Sequence, residues 1–397
     1  MRKTAIACHA VLTGFLAACG PDAGASLARP VIDTLPGGAL AVHSPGPTGW
    51  NDTTGWRLVP DGRIGGALGE PGELVNPRDL ALDGAGRLYV SDQQPAVIKV
   101  FGPDGRFIRT IGREGQGPGE FIIAFIAARG PYLAVQDPRT ARLTLFDTAG
   151  TFVRSWSSGC CVWAQMAFDL ENRIYVPAMT PPETKAAAAY ARYDTLGAAV
   201  DTVWVPEGPE MKMWTVNAGS GGNRMMMMMP VPFTPRMIHG ITPEGALVIG
   251  WSGAYRLART DGHGDTLAIL SRDWTAEPLA GERKAATIER MIREQGPEMD
   301  EALLRRSFPV GEISDALPAF EAIHVDGRGN LWLVTDSDST YARLDVFGSD
   351  GAWLGRVSLP EPLRPYSPIV WGEDRLYVAR EDDEGVPYIA RYRIERS

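Results

Sequence analysis

From residue 76 the chain reads NPRDLALDGAGRLYVSDQQPAVIKVFGPDGRFIRTIG, four short apolar runs separated by turn-forming residues. The runs are Leu80–Leu82, Leu88–Val90, Val97–Phe101 and Phe107–Ile111. Asp83-Gly-Ala-Gly86, Ser91-Asp-Gln-Gln-Pro95 and Gly102-Pro-Asp-Gly105 separate them. Asp-Gly and Pro-Asp-Gly between runs of strand length are hairpin chemistry, because glycine supplies the positive φ that tight turns need. The pattern therefore predicts one up-and-down sheet of four antiparallel strands.

The pattern recurs. With Leu88 as anchor, the equivalent positions are Leu133, Ile174, Leu247, Leu331 and Leu376, at spacings of 45, 41, 73, 84 and 45 residues. Three spacings match a four-stranded unit, and the two long ones call for insertions near 205–232 and 273–317. Six such units predict an all-β, six-bladed β-propeller, an architecture that leaves only short sheet edges. The last unit offers three strands before the chain stops, so its fourth must come from the N-terminal runs Leu40–Val42, Trp56–Val59 or Ile64–Leu68. Seven blades is the alternative, since residues 37–69 nearly suffice for a blade of their own. The second insertion is helical in pattern, with Ala285, Ile288 and Ile292 on one face and Met291 alongside. It is placed either over one channel mouth or on the outer face of a blade.

Asn76-Pro77…Leu88-Tyr89-Val90…Asp92…Ile98-Lys99-Val100-Phe101, followed by Gly112 to Phe121, resembles an NHL-type repeat. The likeness is sharp over 76–158 and 319–358, looser elsewhere, and absent from the insertions. The chain as a whole resembles the bacterial six-bladed propeller lipoproteins of that group. This resemblance implies a fold, and members range from binding scaffolds to hydrolases and lyases.

The N-terminus carries an address. Arg2-Lys3 precedes an apolar segment, Thr4 to Ala18, too short to span a bilayer as a helix. It ends in Leu16-Ala17-Ala18-Cys19, which resembles the lipobox of bacterial lipoproteins. That resemblance implies a signal peptide at 1–18, diacylglycerol on Cys19, a tether over 19–30 and a propeller over 31–397. Gly20 after the cysteine, in place of Asp, goes with outer-membrane sorting in Gram-negative lipoproteins. Two or more acyl chains make such an anchor stable, at about 0.8 kcal/mol per buried methylene.

Composition narrows the function. A formal charge of −9, from 39 basic and 48 acidic residues, leaves no basic stripe for phosphate tracking, so nucleic acid is excluded as a partner. Gly and Pro, 45 and 31 residues, are abundant enough for many turns and too few for a disordered chain. With Cys8 in the signal and Cys19 acylated, Cys160-Cys161 is the remaining cysteine pair, and a vicinal disulfide is the expectation in an oxidising compartment.

Catalytic signatures are sparse. The run Gly112 to Gly119 lacks the G-x-G-x-x-G spacing and reads as a link between blades. Asp92, Asp137 and Asp336 recur after the second strand of their units and are expected to accept backbone N–H bonds in the turn that follows. His239 falls at the position of Leu80 and His324 at that of Ala81, so strand alternation turns them apart and disfavours a shared metal. Ser220 lies in a glycine-rich stretch read as a loop, with no nucleophile elbow. The run Met225 to Met229 matches soft copper(I) ligands in type, yet adaptable apolar filler is the better reading. Eight tryptophans in or near the units are assigned to packing between blades. The expectation is a lipid-anchored envelope scaffold for a protein, peptide or carbohydrate ligand, with no cofactor. The alternative is a metal-dependent hydrolase or lyase acting in the channel.

Overall fold

In a computed structural model, which describes residues 27–50, 55–159, 162, 164–220, 223–296, 299–363 and 367–396, the six anchors all fall on the second strand of a four-stranded antiparallel blade. Leu88, Leu133, Ile174, Leu247, Leu331 and Leu376 are each at most 3% exposed. Blade 1 is Pro77–Leu82, Leu88–Asp92, Val97–Phe101 and Phe107–Ile111. Blade 2 spans Phe125–Ser157 and blade 3 Ala167–Pro206. Blade 4 spans Met237–Arg272 and blade 5 Ala322–Leu359. Blade 6 is built from Ile369–Trp371, Arg375–Glu381, Pro387–Glu395 and the N-terminal strand Arg57–Ile64. The fold is a six-bladed propeller, and the seventh blade is not formed.

Burial along a blade follows from position. Second and third strands are sandwiched between neighbouring blades, and Leu88–Asp92 and Val97–Phe101 are buried at every residue. Outer strands expose one face, and Phe107–Ile111 alternates accordingly. The repeat is also held by a polar unit. Asp83 Oδ1 accepts the N–H groups of Ala85 and Arg87, both at 2.9 Å, while Oδ2 accepts Arg87 Nε at 2.7 Å and Tyr89 OH at 3.0 Å. Asp169 with Arg173 and Tyr175 repeats the arrangement in blade 3, and Asp326 with Asn330 and Trp332 in blade 5. Each aspartate closes the first hairpin and satisfies donors that burial would otherwise strand.

The carboxylates after the second strand work differently from the sequence expectation. Asp92 accepts from Val75 and Asn76, 3.0 and 2.7 Å, and so clamps the chain leading into its blade rather than the turn that follows. Asp137 does both, accepting from Ile122 and Arg139. Among the described residues, Asp336 takes no backbone bond and is bound by Arg283, Tyr341 and Arg343.

Among the N-terminal runs, Arg57–Ile64 completes blade 6, paired antiparallel with Pro387–Glu395. Leu40–Ser44 instead runs parallel to Thr266–Arg272 on the outer edge of blade 4, with Val31–Thr34 beyond it. The connecting chain crosses blade 5, where Thr48, Gly49 and Trp50 donate to the carbonyls of Trp353 and Leu354. Residues 65–68 form no strand. Covering an exposed edge explains the detour, since an outer strand leaves a row of unpaired backbone groups.

The excess residues between blades 3 and 4, and between 4 and 5, form one cap. Met213–Ser220 and Asn223–Pro230 make a hairpin, so Ser220 and the methionine run lie in paired strands, not in a loop. Two helices, α1 (Gly281–Arg293) and α2 (Glu301–Ser307), pack against it. Trp214, Val216 and Ala218 on the inward face of the hairpin are buried with Ile288, Ile292, Leu304 and Phe308. Met227 and Met229 fill the same core, whereas Met226 and Met228 are 76% and 64% exposed. The run is therefore filler on one face only.

Candidate functional site

Spacing along α1 sets two faces. Ile288 and Ile292 enter the cap core, and Ala285 stays exposed. Glu282, Ala286, Arg290 and Arg293, at intervals of three and four, form the opposite stripe. Beneath that stripe lies a cavity of about 440 Å³. Its floor is made by residues that lead into the inner strands of blades 4, 5 and 6: Arg236, Phe320-Glu321 and Leu363. Ser252 and Ser337, at the ends of second strands, complete it. These segments all lie at one end of the ring, so α1 roofs a channel mouth instead of packing on an outer face.

The cap is latched by charge. Arg283 forms an ion pair with Asp336 of blade 5 and donates to Ser337 O at 3.0 Å. Burial opposes ionisation of Asp336, but Arg283, Tyr341 and Arg343 together hold its carboxyl below the usual range. Arg236 donates to the carbonyl of Glu321 at 2.9 Å. Within the cap, Lys284 pairs with Asp315 at 2.6 Å, Trp214 Nε1 donates to Glu312 at 3.1 Å, and Asp300 caps α2 at Leu303 N, 2.9 Å.

Two charged side chains at the cavity differ from these. Among the described residues, the Arg290 guanidinium and the Glu321 carboxylate have no hydrogen-bond or ion-pair partner, and both are half-buried. Burial pushes the Glu321 carboxyl above its ordinary range, against the opposing pull of Arg236, Arg283 and Arg290. Among the described residues, then, neither half-buried group has a direct counter-ion.

Glu321 and Leu363 also line a small void of about 30 Å³ that reaches His324, and His324 lines the central channel, about 310 Å³. The channel wall carries Asp79, Gln165, Tyr190 and His239 as well. His239 Nε2 meets Tyr190 OH of blade 3 at 2.8 Å, while His324 lies against Trp371 of blade 6, ring centres 6.0 Å apart. The two imidazoles turn to opposite neighbours around the ring, as their register implies. No group of three or more His, Cys, Asp or Glu converges at metal distance among the described residues. Burial pushes the His324 imidazole down to about 4 and lowers His239 as well. Asp79 is 2% exposed, and burial raises its carboxyl to about 7 despite bonds from Ile126 N, Leu80 N and Gln165 Nε2. A second large cavity, about 650 Å³, lies between blades 3 and 4 beside Trp204 and Trp251, with mostly apolar walls.

Cys19 and the pair Cys160-Cys161 lie outside the described residues. His263 is exposed in a turn, with Asp261 accepting its N–H at 2.8 Å. The mouth pocket escaped sequence reasoning, because Arg290 and Glu321 belong to different units and neither sits in a motif. The one available signal was the arginine spacing on the polar stripe of α1.

A family described as a 6-bladed beta-propeller matches residues 74–207. No curated protein matches the chain. Among solved structures, a duf4221-family member from Bacteroides vulgatus is 15% identical, with a TM-score of 0.50, covering 87% of this chain and 99% of that one. A protein described as exported, from Bacteroides fragilis, is 12% identical, with a TM-score of 0.49 and coverage of 87% and 98%. A virginiamycin B lyase from Staphylococcus aureus is 10% identical, with a TM-score of 0.40 and coverage of 85% and 99%. At these identities the likeness extends to the fold alone.

The channel groups have opposite linkage. Asp79, raised in the folded state, lends stability that is full below pH 4 and is lost as pH rises through about 7. His324, lowered in the folded state, lends stability present above pH 6.5 and lost as pH falls through about 4. Urea unfolding from pH 4 to 7 is therefore expected to rise more steeply with pH in Asp79→Asn than in the wild type, and less steeply in His324→Gln. Three parallel profiles would contradict the assignment.

Proposed function

We propose that this chain is a lipid-anchored cell-envelope propeller that binds a small ligand between its cap and the channel mouth. One observation carries the reading: two insertions, from different gaps between blades, fold into a single body that roofs a charged cavity above the channel. A pocket of this size with a few convergent polar groups is the usual form of a small-molecule site. Its charged groups come from the cap and from blade lead-ins, whose conformations the closed ring holds. The lipid anchor rests on Leu16-Ala17-Ala18-Cys19, and no helix among the described residues is long and apolar enough to cross a membrane.

A binding role accords with the channel geometry, in which the histidines face apart. Ala286 is exposed toward the cavity, so Ala286→Trp fills it without disturbing the buried face of α1. A thermal-shift screen of small envelope metabolites should give ligands that raise the melting temperature of the wild type and not of Ala286→Trp. Ligands that stabilise both proteins equally would place binding elsewhere, in the channel or the groove between blades 3 and 4. For the anchor, Cys19→Ala is expected to move the protein from the membrane fraction to the soluble fraction. Unchanged fractionation would refute it.

A further inference from the structure

Arg290 and Glu321 face one cavity from opposite sides, the first from α1 in the roof and the second from the lead-in to blade 5 in the floor. They sense each other electrostatically, yet no ion pair forms between them. An unpaired charge held partly out of water is costly, and two of opposite sign in one pocket would ordinarily close on each other. Here the scaffold keeps them apart. α1 is fixed by Arg283 on Asp336 and Ser337, and the Glu321 backbone is fixed by its N–H on Val334 O and its carbonyl on Arg236.

Resting on the mouth-pocket reading, we propose that the ligand is a zwitterion, an amino acid or short peptide with both ends free. Its ammonium meets Glu321 and its carboxylate meets Arg290. A guanidinium fork matches a carboxylate with two parallel bonds, while a carboxylate acceptor suits the three donors of an ammonium. Arg293, exposed at the rim, adds a second cation on the carboxylate side. Phe233, Phe320 and Leu363 form an apolar wall against which a side chain can lie. Neither a simple anion nor a simple cation satisfies both groups.

Titration calorimetry with the tripeptide Ala-Leu-Ala, its N-acetyl form, its C-terminal amide and free leucine tests this. The free tripeptide or leucine should bind, and whichever is tighter identifies the source as peptide or amino acid. Blocking either end of the tripeptide should weaken binding tenfold or more. Arg290→Met should erase the penalty for amidation alone, and Glu321→Gln the penalty for acetylation alone, in proteins that melt like the wild type. Blocked peptides that bind as well as the free one would overturn the proposal. So would no binding by any of the four at millimolar concentration. If Ala286→Trp still abolishes other ligands in that case, the pocket stands and the zwitterion falls.

Discussion

Everything in this fold depends on the pairing of Arg57–Ile64 with Pro387–Glu395, which closes the ring by joining the two ends of the chain in one blade. Without it blade 6 would be a three-stranded sheet with Ile389, Tyr392 and Ile394 uncovered. Its partners in blade 1, Leu80, Leu88 and Phe101, would lose their packing against Ile64 and Tyr377. Closure is also why the preceding chain must travel along the outside. It leaves the edge of blade 4, crosses blade 5 and sets Trp50 on Trp56, ring centres 5.2 Å apart. The aromatic stack continues through Trp332 to Trp371 and ends at His324 in the channel wall. The strap, the seam and the channel are thus one continuous packing arrangement.

The ring is not uniform, and its asymmetry is where chemistry collects. Blade 4 has both insertions at its borders and the strap on its edge, and its contact with blade 5 is reinforced by buried charge. Asp345, fully buried, accepts from Tyr255 OH at 2.7 Å and pairs with Arg272 at 2.6 Å and Arg356 at 3.0 Å. Pairs of this kind add little net stability over apolar packing, but removing one partner costs about 3–5 kcal/mol. They fix which side chain faces which, and the same holds for the Arg283 latch under the cap. A roof that slid by one helical turn would take Arg283 off Asp336 and leave its guanidinium without that counter-ion, while Asp336 kept Tyr341 and Arg343.

Much of this was legible in the sequence, for identifiable reasons. The anchors and hairpins recur, and three of the five spacings match a four-stranded unit. What failed involved partners distant along the chain. Leu40–Val42 has the alternation of a strand, but alternation does not say which edge a strand will cover, and it runs on blade 4. Asp92 looked local and reaches back to Val75 and Asn76. The methionine run was assigned one role, but only Met227 and Met229 pack against the cap core, while Met225, Met226 and Met228 are exposed. The mouth pocket was illegible because Arg290 and Glu321, unpaired among the described residues, come to face one cavity only when α1 docks on blade 5.

Hydrogen exchange decides whether the hairpin and the two helices open as a single cap. Amides of 214–218, 227–229 and 285–292 should share one opening free energy, lower than that of the blades. Trp214→Ala, which removes a side chain buried against Phe308 with ring centres 5.6 Å apart, should accelerate exchange in the helices as much as in the hairpin. Faster exchange in the hairpin with the helices unchanged would mean that the insertions are two independent excursions and not a roof.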